Sequence, residues 1–482
     1  MNRPWALWCT GVVVASVALG LFIRTQSLRL LGEAGVLSVD GHRQVRQAEV
    51  MTDGDPLAVV DSMRSAPLGK PYATQSLLHP RLLSTALAVG KLARPALTIE
   101  RVAVYYPVVA FAIAACLYLS LVARLTDIAT GVLSLLAFSV APSVAHRTTA
   151  GFADRDGLVL VLFLATLDVV SRSWGSPRFG RSVAWAGLSG VLSGLLGLAW
   201  VGAGMLSAIL CGVTVLHALT NRLSARRCWL YAAWCGPAVV VMATSPTFHR
   251  VPSAPHTLLA IGAPCPVLLY VGLYAAARFG RLGGIVAHAR ERAGVYAAGT
   301  CVAAGLVLLL GVVGPSEVVS IARDAANHFF YPLGRTRLML SVAEMRPTFL
   351  IGWWDKSGLL FFVALAGAGL VFARAVGPFV SDVWLALSAF MILQIGAVFS
   401  TFSSAPPFNG DTAFARATYL GSTVLFAAAI VWLWAGRKAS GGGPRSKKNP
   451  RWTVGLRCCL CGISGRSSSR GRRIASTSSM RP

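Results

Sequence analysis

The chain has 482 residues, of which 55% are hydrophobic and only 13% charged. Soluble globular chains carry about 25% charged residues, so this balance excludes a soluble domain. The formal net charge is +26, but 12 Lys/Arg and no Asp/Glu fall between Arg437 and the C-terminus, and the remaining basic residues sit in short loops between apolar runs, which excludes a nucleic-acid-binding surface.

Apolar runs recur from Trp5 to Trp434, many of them long enough to cross a hydrocarbon core of ~30 Å. Without water, a spanning backbone must satisfy its own hydrogen bonds, so these runs are predicted helices. The first, Trp5–Ile23, has no cleavage site and reads as a signal anchor. A polar stretch follows from Arg24 to Tyr72. Ala73–Ala93 is apolar but interrupted by His79, Pro80, Arg81 and Lys91, so an interfacial helix is expected there rather than a span. Spans are then predicted at 102–122, 130–146, 157–171, 183–199, 202–219, 227–245, 257–278 and 295–314. A second long polar segment, Gly314–Lys356, precedes spans at 357–376, 380–400 and 414–435.

The expected fold is an all-α polytopic membrane protein of about 12 transmembrane helices. Residues 1–436 form the membrane domain, with loops 24–101, 146–156 and 314–356 on one side. The short loops Ser171–Arg181, Asn221–Arg227 and Arg278–Arg292 are Arg-rich and fall on the other side, as the positive-inside rule requires. Residues 437–482 are rich in Ser, Arg and Gly, lack acids and are expected to be disordered. Cys458, Cys459 and Cys461 cluster there without the second ligand pair of a zinc site.

The acids concentrate in the outward loops. Asp40 stands in Ser-Val-Asp-Gly-His-Arg. Asp154 and Asp156 flank Arg155, and Glu344 stands in Ser-Val-Ala-Glu-Met-Arg-Pro-Thr. Carboxylates beside hydrocarbon are costly unless paired or metal-bound. Hard divalent cations take several oxygen ligands, and an Asp-x-Asp pair beside a helix start supplies two from one loop. Each acid taken singly also reads as a solvated loop residue.

Taken jointly, the motifs resemble the catalytic subunit of oligosaccharyltransferase, a membrane glycosyltransferase of the GT-C type. His146-Arg147-Thr-Thr-Ala-Gly-Phe-Ala-Asp154-Arg-Asp156-Gly157 is similar to that family's second external loop, and Ser341–Thr348 to its Ser-Val-x-Glu-x-x-Pro-Thr segment in the fifth. Ala66-Pro-Leu-Gly-Lys70 and Trp200-Val-Gly202 match further landmarks. The resemblance implies long external loops 1 and 5. It implies Asp40, Asp154 and Asp156 as ligands of Mg²⁺ or Mn²⁺, and Asp40 with Glu344 as the catalytic acids that engage the acceptor amide. It further implies Arg147 and Arg416 on the lipid pyrophosphate and Lys356 near the acceptor peptide. Position alone makes Arg416 a helix-end arginine whose stem lies in lipid.

The implied reaction transfers an oligosaccharide from a polyprenyl-diphosphate carrier to Asn of an Asn-x-Ser/Thr sequon. The implied setting is a bacterial or archaeal plasma membrane with the site external, or the endoplasmic reticulum membrane with the site lumenal. The implied partners are the lipid-linked oligosaccharide, an acceptor polypeptide and membrane lipid. One departure stands out. The family's soluble C-terminal domain, which carries Trp-Trp-Asp-Tyr-Gly and reads the sequon, does not follow the last span. Trp353-Trp354-Asp355 lies in the fifth loop and reads as an interfacial aromatic pair. A truncation or frameshift near codon 436 is therefore expected, with activity dependent on a partner that supplies the domain. Two rivals stay open. Another polyprenyl-phosphate-sugar glycosyltransferase acting on lipid or hydroxyl acceptors would not need the Ser-Val-x-Glu segment. A transporter or flippase would carry polar groups at mid-membrane, whereas here the acids gather outside and Asp168 sits near an inner helix end.

Overall fold

The computed structural model describes residues 3–31, 35–53, 60–63, 67–71, 75–219, 224–245, a few positions between 314 and 326, and then 358–377, 380–402 and 413–439. The described helices, numbered in order, begin with α1 (Arg3–Thr25), α2 (Val39–Thr52), α3 (Leu78–Ala93), α4 (Ile99–Leu125), α5 (Ile128–Val140), α6 (Pro142–Arg147) and α7 (Asp156–Gly175). They continue with α8 (Phe179–Ala199), α9 (Gly204–Leu219), α10 (Ala225–Ala243), α11 (Leu359–Val376), α12 (Val383–Phe402) and α13 (Ala413–Ala439). A two-stranded antiparallel hairpin, β1 (Val60–Asp61) with β2 (Lys70–Pro71), lies between α2 and α3.

Ten of the twelve predicted spans fall on a described helix, while 257–278 and 295–314 lie outside the described residues. Six described helices are long and apolar enough to cross a membrane: α1, α4, α7, α8, α11 and α13. Their outward side chains are apolar, as Val14, Phe22, Val109 and Val363 illustrate, and such surface is tolerable only against lipid. The chain is an integral membrane protein.

The helix of α3 has 16 residues and is absent from the spanning set. At 1.5 Å per residue it reaches only ~24 Å, short of a hydrocarbon core of ~30 Å. It packs on α2 through a small core of Val45, Ala48, Leu83, Leu87 and Ile99.

The predicted span 130–146 is corrected. Helix α5 ends at Val140 and α6 begins at Pro142, because a proline cannot donate its backbone N–H and fits at the first helical turn. Helix α13 continues to Ala439.

Two compact units divide the chain. In the first, α7, α8 and α10 share a core of Leu162, Leu196, Tyr231 and Trp234. Small residues on α8 let α10 approach closely. A side chain at Gly194 would meet Val241 Cβ at 2.6 Å and the Ala238 carbonyl at 2.9 Å. Trp234 resolves its buried N–H by donating to Ser193 Oγ at 2.8 Å. The second unit takes residues 366–396 and 421–482. There Phe372 stacks on Phe390 at 4.3 Å and meets Phe426 at 5.7 Å.

Candidate functional site

The Arg147–Gly157 loop is built around Gly151, which holds φ +84, a region that glycine enters without steric cost. Its N–H donates to the Val104 carbonyl of α4 at 3.0 Å, and its carbonyl accepts the Leu37 N–H at 2.8 Å. A side chain there would strike Leu31 at 2.6 Å. The Ala-Gly pair of the motif thus docks the loop between α4 and the segment leading into α2.

That docking brings Asp40 to the Asp-x-Asp loop. Ser38 caps α2 by accepting the Gly41 N–H at 2.9 Å, and Asp40 falls in the first helical turn, where the helix dipole favours a carboxylate. Gly41 packs against the Ala153 backbone; a Cβ there would lie 3.4 Å from the Ala153 carbonyl carbon. Asp156 occupies the first turn of α7 in the same way. The polar stretch 24–72 therefore contains a 14-residue helix. The Ser-x-x cap signal marks its start, although the helix is too polar for hydropathy to reveal.

The three carboxylates differ in environment. Asp40 is half-exposed and pairs with Arg43 at 3.1 Å. Asp156 pairs with Arg147 at 2.8 Å, and the Arg147 guanidinium lies 5.5 Å over Phe152. Asp154 is buried and accepts the Arg155 N–H at 2.7 Å. Burial pushes its carboxyl above the ordinary carboxylate range, and the charges of Asp156 and then Asp40 push it further, against the lowering effect of the Arg155 N–H. Crowded anions of this kind suit a hard cation, and their oxygens are the donors Mg²⁺ or Mn²⁺ prefers. Still, among the described residues no three His, Cys, Asp or Glu side chains gather at ligating spacing. Of the four acids expected to converge, Glu344 lies outside the described residues, and Asp40 and Asp156 are each held by an arginine of their own.

Glu344, Lys356 and the Trp353–Asp355 stretch lie outside the described residues. Arg416 is in the first turns of α13, with its side chain outside the described set. The Gly69 motif closes the hairpin at φ +72, and Arg46 of α2 ties the hairpin down through Asp61 at 2.7 and 2.8 Å. The Trp200–Gly202 turn follows α8, and Ser76 donates to the Leu198 carbonyl just before it.

Sequence reasoning missed Arg24. It is fully buried, donates from Nε to Thr148 Oγ1 at 2.7 Å and from Nη1 to the carbonyls of Gly20 and Ser139 at 2.9 Å each. Its guanidinium lies 3.4 Å over Phe111, and its carbonyl accepts the Ala150 N–H at 3.0 Å. The only sequence signal is a lone arginine ending an apolar run, which ordinarily marks a membrane boundary. His79 is also buried, with both ring nitrogens unpartnered, and its ring lies 4.7 Å from Tyr106. Burial, with a smaller contribution from Arg155, lowers its pKa to about 3.

Fold and rim together define a polytopic membrane protein that carries its acids on loops at one end of a helical bundle. The family profile described as Oligosaccharyl transferase STT3, N-terminal, matches residues 58–428, and the chain belongs to that family. A search of curated proteins returns no match. Among solved structures, the fold is similar to the oligosaccharyltransferase of Archaeoglobus fulgidus in the apo form, with TM-score 0.59 and 15% identity over 91% of this chain and 52% of that one. It is likewise similar to the archaeal enzyme AglB of that organism in complex with an inhibitory peptide and a dolichol-phosphate, with TM-score 0.59 and 14% identity over 94% and 54%. A third, the Archaeoglobus fulgidus enzyme in complex with Zn and sulfate, has TM-score 0.51 and 14% identity over 90% and 54%. The chain spans about half the length of these proteins.

Proposed function

We propose that this chain transfers an oligosaccharide from a polyprenyl-diphosphate carrier to the side-chain nitrogen of Asn in an Asn-x-Ser/Thr sequon. The observation that carries the proposal is the junction of Asp40 with the Asp154–Asp156 loop, fixed by the Leu37–Gly151 hydrogen bond, in a chain of the oligosaccharyl transferase family. Peptide and dolichol-phosphate bound to an archaeal neighbour support the same substrate classes here.

An amide nitrogen is a weak nucleophile because its lone pair is delocalised into the carbonyl. Asp40 and Glu344 accept its two N–H groups, which turns the C–N bond out of conjugation and frees the lone pair. The nitrogen then attacks the anomeric carbon, the bond to the diphosphate oxygen breaks, and the surplus proton leaves to a carboxylate. Arg147 and Arg416 are assigned to the diphosphate, and Lys356 to the acceptor peptide, on the motif resemblance. Asp40, Asp154 and Asp156 would hold Mg²⁺ or Mn²⁺, which when bound supplies positive charge to the departing diphosphate. For that, Asp40 and Asp156 exchange their arginine partners for the cation. The carboxylate rim faces the exterior of a plasma membrane or the lumen of the endoplasmic reticulum, because the opposite loops are rich in arginine.

The test is transfer to a fluorescent sequon peptide from a lipid-linked donor, using the full chain in the presence of its membrane partners. Asp154→Ala and Asp156→Ala should each remove divalent-ion-dependent transfer while leaving the chain folded. Full activity in both variants overturns the assignment.

A further inference from the structure

The end of the bundle away from the carboxylates carries a cavity. Helix α7 begins at Asp156 and has 20 residues, so its last turn lies ~30 Å from the rim. There α7, α8, α9 and α10 enclose about 400 Å³, lined by the half-buried Arg226, the exposed Arg227 and the buried Leu210 and Leu230. Pockets for small ligands run to ~300–1,000 Å³.

Two observations point to an anionic ligand with a polar head. Arg226 is half-buried and donates to neutral oxygens: Ser182 Oγ at 2.7 Å, the Pro177 carbonyl at 3.3 Å and the Ser176 carbonyl. Among the described residues no carboxylate lies within ion-pair distance of it. Trp174, in the last turn of α7 and 55% exposed, sits where aromatic side chains meet lipid head groups.

We propose that this cavity binds an anionic phospholipid of the leaflet opposite the carboxylate rim. The lipid phosphate engages Arg226 and Arg227, and the acyl chains leave along the apolar wall. Basic pockets between helices on the positive-inside face recognise such lipids by charge, and a polar head with an apolar tail matches Arg226 and Arg227 together with Leu210 and Leu230. The site stands independently of the glycosyl-transfer reading, since none of its residues lies in the carboxylate rim.

The experiment is native mass spectrometry of the full chain in detergent, titrated separately with phosphatidylglycerol, phosphatidylcholine and inorganic phosphate. Phosphatidylglycerol should be retained selectively. Loss of one charge-assisted contact in Arg226→Gln should weaken that retention by about tenfold and leave phosphatidylcholine unchanged. Arg227→Gln, an exposed side chain, should weaken it in the same direction and serves where Arg226→Gln fails to fold. Equal retention of both lipids overturns the proposal, as does undiminished phosphatidylglycerol binding in the folded variants. Inorganic phosphate binding as tightly as phosphatidylglycerol identifies a free anion as the ligand and overturns the lipid assignment.

Discussion

Replacing Arg24 with methionine keeps the length and the apolar stem of the side chain and removes the guanidinium. Three hydrogen bonds from a charged donor disappear, to Thr148 Oγ1, the Gly20 carbonyl and the Ser139 carbonyl. Each contributes about 1.5–3 kcal/mol. The cation over Phe111, 3.4 Å from its centroid, adds about 1–2 kcal/mol. Against these, methionine relieves the cost of holding a charge next to hydrocarbon, which is about 2.5–3.5 kcal/mol on insertion scales. Arg24 Nη2, buried without a partner, enlarges that relief slightly. The attractive contributions win even at their lower ends, leaving a net loss of about 2–3 kcal/mol.

The loss falls on a particular place. The side chain holds Thr148, and the Arg24 carbonyl holds Ala150, so the residue clamps the loop that carries Asp154 and Asp156. Arg24→Met should therefore lower the unfolding temperature of the detergent-solubilised chain by several degrees. It should also raise hydrogen exchange at Thr148–Asp154 more than in α8 or α10. Arg24→Lys should recover part of the loss, because an ammonium supplies charge but not the planar fork that reaches three acceptors. Unchanged unfolding together with unchanged exchange across 148–154 in Arg24→Met would refute the clamp.

Ser38→Ala removes the α2 cap and should destabilise the helix by about 1 kcal/mol; hydrogen exchange at Gly41–Gln44 reads it, and equal protection would show that the cap is dispensable. His79 has a folded-state pKa of about 3 against about 6.5 unfolded, so the unfolded chain binds the extra proton between those values. Its contribution to stability is complete above pH 6.5 and is lost as pH falls toward 3. His79→Leu should flatten that acid slope in thermal unfolding, and an unaltered slope counts against it. Glu344→Gln should depress turnover more than peptide binding, and normal turnover would remove its role on the acceptor amide.

Much of the fold was legible because membrane insertion is decided locally. A run of twenty apolar residues has one low-energy arrangement in lipid, so Ile99–Leu125 and Phe179–Ala199 could be read from hydropathy alone. The loop acids Asp40, Asp154 and Asp156 stood out as candidates for a related reason, since charge near hydrocarbon is expensive and seldom idle. The interruption by His79, Pro80 and Arg81 falls in α3, a helix of 16 residues that is not among the described helices long and apolar enough to cross a membrane.

What required the tertiary structure were the features set by contacts distant in sequence. The split at Pro142 is local, yet α2 inside a polar stretch is visible only through the core it shares with α3 and α4. The approach of Asp40 to Asp154 requires the docking of the Gly151 loop on Leu37 and Val104, which joins segments far apart in the chain. Arg24 shows the division most clearly. Its place in the chain says membrane boundary, and only the convergence of α1, α4, α5 and the Thr148 turn makes it a buried clamp. Hydropathy fixes which segments enter lipid because transfer free energy belongs to each residue in turn. Which charges meet is a property of pairs, and pairs exist only once the chain has packed.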